Sequence, residues 1–356
     1  MLAASLLACD VPGDEAAPGD TGDADDDGPT VVEPYVADVG VYSEFLPYDE
    51  VAMHLPALAR TQTELYLAMP SAEVGGEALE GVLREAKAQH VPVRAWLLLD
   101  DADGYWPGED NLAAYDALVE RFWAWNEAED LGVEWITVDM EPPLETSNML
   151  VEALESGDLS SVVPVLLDLH DPEEHAAASE AWAAAVDRWH ARGAKVGVVG
   201  LPYILDDFGD DDPDVQDMFE SPIVGIDWDE VGFLVYQTLY ADDEGERLGP
   251  GLVRSYGETA VAQFGDRASI ALGAVGTVGK NTSRPGYDTP EQLAEDVAAA
   301  WATGASKVHL FSLDGMAELG EVEAWLQAAS GADPVDPGHD AEVERQREAI
   351  AFLDSI

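Results

Sequence analysis

The chain has 356 residues, 47% of them hydrophobic, and sets 16 basic side chains against 73 acidic ones for a net charge of −57. With ten tryptophans it can bury a large core, in one big domain or two ordinary ones. The charge excludes nucleic acid and anionic membrane surfaces as partners, because phosphate recognition needs clustered Lys and Arg, and no apolar run is long enough to span a bilayer.

Cys9 is the single cysteine, so no disulfide can form within the chain. It ends the run "LAASLLACD", in which Leu6-Leu7-Ala8 before Cys9 resembles the cleavage end of a bacterial lipoprotein signal. The resemblance implies that residues 1–9 are a truncated signal and that Cys9 accepts a lipid. A lipid anchor there would be the one attachment to a membrane and would put the protein on the bacterial cell envelope. No Lys or Arg precedes Cys9 and the apolar run is short, which a start codon upstream of Met1 would explain. Residues 10–33 are rich in Asp, Gly, Pro and Ala and have little to pack, so they are expected to form a disordered acidic linker.

From residue 34 to 330, short β-rich runs alternate with longer helical ones. The strands fall at 39–45, 63–70, 91–100, 133–141, 194–203, 231–240, 269–277 and 307–315. Helical stretches separate them: Leu79, Val82, Leu83 and Ala86 form one apolar stripe, another helix stops at Gly193, and Thr289, Pro290 and Gln292 spell a capped start. Strand alternating with helix implies parallel pairing. Eight repeats and a last helix at 318–329 predict an α/β fold, a single-domain (β/α)8 TIM barrel. An open doubly wound sheet would carry an early Gly-rich phosphate turn, and the only glycine pattern, "GAVGTVG", comes late. Residues 331–356 read as a Pro/Gly linker and a short helix, and a monomer is expected.

Barrel enzymes collect their functional groups at the C-terminal ends of the strands. There the sequence offers Tyr42 and Glu44 from strand one, Asp100 and Asp101 from strand three, and Asp139 and Glu141 from strand four. Strand five adds Tyr203, strand six Tyr236, Gln237 and Tyr240, and strand eight Ser312 and Asp314. Strand starts read as mostly plain apolar residues. Period-two alternation puts Thr137, Asp139 and Glu141 on one face. Past strand three, Tyr105, Trp106, Glu109 and Asn111 offer a stacking surface with polar neighbours; plain cover of the barrel mouth is the competing reading.

This rim is rich in carboxylates and aromatics and poor in Lys and Arg. No H-E-x-x-H or histidine cluster points to a metal, no G-x-S-x-G turn to a serine nucleophile, and no cofactor is expected. His309, early in strand eight, is expected to be structural. The acidic loop 206–214 lacks the ordered spacing of a calcium loop and reads as solvated. Carboxylates with aromatic platforms suit glycoside hydrolysis, in which one acid protonates the leaving oxygen and another group stabilises the oxocarbenium-like transition state. Trp106 and Trp228 could supply sugar-stacking rings.

The run "EWITVDMEP" resembles the fourth-strand signature of the chitinase-like family 18 glycoside hydrolases, with Glu134 where the acidic ladder begins and Asp139 and Glu141 as its last two acids. "LFSLDG" at 310–315 is similar to that family's eighth-strand ending, with Phe311 where Trp is usual, and "VYQ" at 235–237 to its sixth-strand Tyr-Asp. The resemblance implies that Glu141 is the proton donor, that Asp139 orients the substrate's nucleophilic acetamido group, and that Tyr236 hydrogen-bonds that group. Thr137 departs from the pattern at the middle acid, Gln237 replaces Asp, and strand three lacks the expected Ser-x-Gly-Gly turn.

Two functions follow as expectations. One is an envelope glycoside hydrolase with a polysaccharide or oligosaccharide substrate. It would use Glu141, Asp139 and Tyr236 for catalysis, and Glu44, Asp100, Asp101, Tyr105, Trp106, Tyr203, Gln237 and Asp314 for substrate binding. The other is a catalytically silent barrel that binds glycans or scaffolds an envelope complex. A second carboxylate facing Glu141 across the mouth, from Glu44, Asp100 or Asp314, separates them. An aldolase or lyase would want a barrel lysine or phosphate loop, and only Lys280 lies near a strand end.

Overall fold

A computed structural model describes residues 38–143, 146–149, 152, 163–206, 213–240, 247–278 and 285–351. Cys9, the acidic linker, residues 207–212 of the acidic loop and Lys280 lie outside the described residues.

Eight strands form a closed barrel: β1 Val39–Ser43, β2 Glu64–Pro70, β3 Val93–Leu98, β4 Trp135–Met140, β5 Lys195–Gly200, β6 Glu230–Leu234, β7 Ala268–Gly273 and β8 Lys307–Phe311. Each pairs in parallel with the next, and β8 closes onto β1 through Val39↔Val308 and Gly40↔His309. The expected (β/α)8 barrel is therefore present. The outer layer includes α1 Tyr48–Thr61, α2 Glu77–Ala88, α3 Leu112–Ala128, α4 Val163–Leu169, α5 Pro172–Ala191, α6 Asp214–Met218, α7 Pro250–Phe264 and α8 Pro290–Ala302. Beyond β8 come α9 Leu313–Leu319, α10 Val322–Ser330 and the terminal α11 Ala341–Ala351.

The local signals act as their chemistry dictates. The stripe Leu79, Val82, Leu83 and Ala86 is the buried face of α2, and covering such side chains contributes roughly 1.5–3 kcal/mol each for the larger ones. Thr289 and Gln292 close a reciprocal capping box on α8. Gly193, just past α5, has φ +90, a left-handed conformation that only glycine adopts without strain. The strands stop short of their expected ends because ladder pairing gives way to turns: Gln237–Leu239 is a 3-10 turn, not strand. The expected helix at 318–329 is two helices, broken at Gly320 with φ 82, and Ser312 caps the start of α9, so Asp314 sits in its first turn and not on a strand.

A further expectation is overturned. The strand starts are not plain apolar residues but carry a buried ionic tier inside the barrel. Arg94 of β3 pairs through Nε with Glu64 of β2 at 2.9 Å and through Nη2 with Glu230 of β6 at 2.8 Å. Lys307 of β8 adds a 2.9 Å pair to Glu64. The Arg94 guanidinium also lies 3.8 Å from the Trp135 ring centroid, a cation–π contact. Burial opposes ionisation of Glu230, but Arg94 and then His309 outweigh it and hold its carboxyl well below the usual range. His309 is structural as expected, with Nε2 2.8 Å from both Glu230 Oε1 and Tyr66 Oη. Apolar stretches hid this tier because each strand supplies only one of its charges.

Candidate active site

Above the ionic tier the interior turns aromatic. Tyr42 of β1 packs against Tyr66 at 4.7 Å and edge-on to Trp96 at 5.2 Å between ring centroids, forming a floor. Tyr236, just past β6, stacks on Phe311 at 5.5 Å with 23° between the planes. The close approach of Tyr236 to β7 needs Gly273, where a Cβ would meet the ring at 2.9 Å. The Tyr42 hydroxyl is buried and has no hydrogen-bond partner among the described residues.

On this floor stand three carboxyls. Asp139, the penultimate residue of β4, is 4% exposed, and its Oδ1 makes no hydrogen bond among the described residues. Glu141, two residues on, is half-buried. Glu44, just past β1, is half-buried and accepts a 2.6 Å hydrogen bond from the Tyr105 hydroxyl. Burial is the main force on all three, and repulsion from neighbouring acids adds to it. Asp139 is raised far above the usual carboxylate range by burial, then by Glu141 and Glu44. Glu141 is pushed up to about 8 by burial and then by Glu44. Glu44 is pushed up to about 7 by burial, with the Tyr105 hydrogen bond opposing and Asp314 adding to the rise. Tyr236 is raised by burial, then by Tyr42, Asp139, Glu141 and Glu44, so its hydroxyl belongs to the same electrostatic neighbourhood. Protons held near neutrality beside ionisable neighbours are what acid–base chemistry requires.

Tyr105 reaches Glu44 from the β3–α3 loop in a left-handed conformation, φ 64, that a bulky residue seldom adopts. The Asn111 side chain shapes that loop: its oxygen accepts from Gly108 N at 2.8 Å and its amide donates to Trp106 O at 2.8 Å. Asn111 thus ties the loop together and makes no side-chain cap on α3. Trp106 is half-buried, edge-on to Tyr105 at 5.2 Å.

The other anticipated residues sit elsewhere. Asp314 is buried, and its two oxygens accept the backbone N–H groups of Glu44, Phe45 and Leu46, so it shapes the β1–α1 loop. Asp100 is exposed and accepts from Ser71 Oγ at 2.6 Å, and Asp101 is exposed in the following turn. Gln237 is fully buried, bonded to both backbone polar atoms of Gly249 and to Asp296. Tyr203 is buried in a ring cluster with Phe219 and Tyr240. Trp228 is a packing residue, 1% exposed and 6.2 Å from Trp182. Glu134 is exposed at the opposite end of the barrel, beside Lys195. Of the three candidates for a second carboxylate, Glu44 alone acts on Glu141 electrostatically.

No family model matches the chain, and no curated protein does. Among solved structures, a family GH18 chitinase from Cycas revoluta in a complex with allosamidin is similar with TM-score 0.45 and 14% identity, over 83% of this chain and 99% of that one. D-psicose 3-epimerase in the presence of D-fructose gives 0.41 and 13%, over 89% and 98%. A D-allulose 3-epimerase from Methylomonas sp. gives 0.42 and 13%, over 89% and 97%. These likenesses are of barrel fold alone and assign no activity.

Proposed function

We propose that the barrel mouth hydrolyses a glycosidic bond, with Glu141 as general acid and Asp139 as its partner. The convergence of Asp139, Glu141 and Glu44 in a desolvated mouth carries this reading, since two of the three have pKa values close to neutrality. Glu141 gives its proton to the bridging oxygen as the bond to the anomeric carbon breaks, and the departing sugar leaves as an alcohol. Positive charge then grows on the ring of the other sugar. Glu44, ionised with the help of Tyr105, stabilises it or activates the incoming water. Tyr236 and the exposed ring of Phe45, beside Glu44, offer a hydrogen-bonding group and a stacking face. A net charge of −57 disfavours polyanionic chains, so the substrate class is a neutral or cationic glycan.

The test is hydrolysis of a panel of neutral, amino-sugar and uronate-bearing oligosaccharides, with the first-formed anomer read by NMR. Turnover of neutral or amino-sugar substrates that Glu141→Gln abolishes supports the proposal. Binding without turnover across the panel would leave a silent glycan-binding barrel in its place.

A further inference from the structure

Glu109, His175 and Asp217 come from three separate segments: the β3–α3 loop, the first turn of α5 and α6. One donor atom of each lies within 4.8 Å of the other two. Glu109 Oε1 is 2.5 Å from His175 Nδ1. The three side chains are 4%, 6% and 2% exposed, so the cluster is taken out of water.

Asp217 is only half used. Its Oδ1 accepts the backbone N–H of Asp171 at 3.0 Å. Among the described residues its buried Oδ2 has no hydrogen bond and one ion-pair neighbour, His170 Nδ1 at 2.9 Å. Around the cluster the charge is one-sided. Glu220, whose backbone N–H donates to Asp217 O at 2.8 Å, adds a further acid. Among the described residues, no Lys or Arg pairs with Glu109, Asp217 or Glu220, and only imidazoles face these acids. Buried carboxylates in such surroundings need a counter-charge.

We propose that Glu109, His175 and Asp217 bind one first-row divalent cation of the Zn²⁺ or Mn²⁺ kind, a structural site on the shoulder of the barrel mouth. One imidazole nitrogen with two carboxylate oxygens suits a borderline ion, whereas Ca²⁺ prefers a larger set made of oxygens. On binding, the proton shared by His175 Nδ1 and Glu109 leaves to solvent and both atoms turn to the ion. Asp217 contributes the oxygen that lacks a hydrogen bond, with His170 outside it as an orienting neighbour. The ion would cross-link α5 and α6 to the loop that carries Tyr105, so it would set the rigidity of the hydroxyl that reaches Glu44. Histidine and acids from three distant stretches gave no spacing by which the sequence could reveal the cluster.

The experiment strips the full chain with chelator and titrates it with Zn²⁺, Mn²⁺ and Ca²⁺ separately, by calorimetry and thermal melting in 0.5 M salt. The salt suppresses loose cation binding to the acidic surface. Zn²⁺ or Mn²⁺ should bind at one equivalent and raise the melting temperature. Co²⁺ should give visible absorption bands that need the imidazole ligand. His175→Gln and Glu109→Gln, each shown folded by circular dichroism, should weaken binding tenfold or more and remove the bands. Absence of one-equivalent binding, tight binding by Ca²⁺ alone, or binding that both folded variants leave unchanged would each overturn the site. Should one variant fail to fold, Asp217→Asn takes its place under the same criteria.

Discussion

The backbone amide of Glu44 donates to a carboxylate oxygen of Asp314 at 3.1 Å, so the acid just past β1 is positioned from the first turn of α9. The same carboxylate takes the amides of Phe45 and Leu46 at 2.7 and 2.6 Å. Asp314→Ala leaves these donors without their acceptor, which should cost about 1–3 kcal/mol. Because the loop carries Glu44, kcat on a confirmed substrate should fall more than KM rises. Thermal melts and steady-state kinetics check both, and an unchanged kcat would detach Glu44 from the chemistry.

Glu141→Gln keeps shape but cannot donate a proton. Turnover should drop by ~10²-fold or more, the usual scale for general acid catalysis. Stability should move the other way. The folded pKa of Glu141 is raised to about 8, above an unfolded value of about 4.3. Between those values the unfolded chain ionises and the folded one does not, so the wild type loses stability as pH rises. The variant should therefore be the more stable near pH 8, by on the order of 1–3 kcal/mol, and no more stable below about pH 4. Denaturant melts at both pH values decide it.

Tyr105→Phe removes the hydrogen bond that favours ionised Glu44. The Glu44 pKa, about 7 with that bond present, should then rise. If ionised Glu44 is needed for turnover, the acidic limb of the pH–rate profile should shift to higher pH, while the basic limb, governed by Glu141, moves less. Coupled acids titrate as a set, so the readout is the displacement of the limb. A profile superimposable on the wild type would exclude this role for Tyr105.

Arg94→Met should be strongly destabilising, by about 3–5 kcal/mol, because it leaves buried Glu230 and Glu64 short of their partner. The pKa of Glu230 is depressed in the fold. Its ionic stabilisation is thus present above the unfolded value of about 4.3 and is lost as pH falls toward the folded one. The variant should show a flatter loss of stability on acidification, measured by urea melts between pH 3 and 7.

Lipidation at Cys9 is tested by expression from an upstream start followed by intact mass of the membrane fraction. The expected product begins at a diacylated Cys9. A mature chain that keeps residues 1–8 would end the lipoprotein proposal.

The barrel was legible because its evidence is periodic: eight apolar runs with helices between them leave little choice of topology. Asp139 and Glu141 were legible for the same reason, as two acids on one face where an apolar strand runs out. Glu44 could be named but not ranked, since its tie to Tyr105 crosses 61 positions and depends on a left-handed residue. Asp314 falls in a helix start because Ser312 ends the strand run and caps α9 through Gly315 N, a capping role the apolar pattern does not reveal. The ionic tier leaves no sequence signature because each strand contributes its charge singly, and charges at strand starts usually face solvent.

Arg94, Glu64 and Glu230 close the lower bore of the barrel with their charges sheltered from the medium, and half-buried Lys307 pairs with Glu64 beside them. The outside of the molecule is governed by crowding of like charge, which dissolved ions relieve over a Debye length of about 8 Å at physiological ionic strength. The inside is governed by contact pairs that dissolved ions hardly reach. Brine therefore quiets the repulsion on the skin of the protein without loosening its bolts, and a chain so acidic keeps its internal fastening in media salty enough to dissolve ordinary surface pairs.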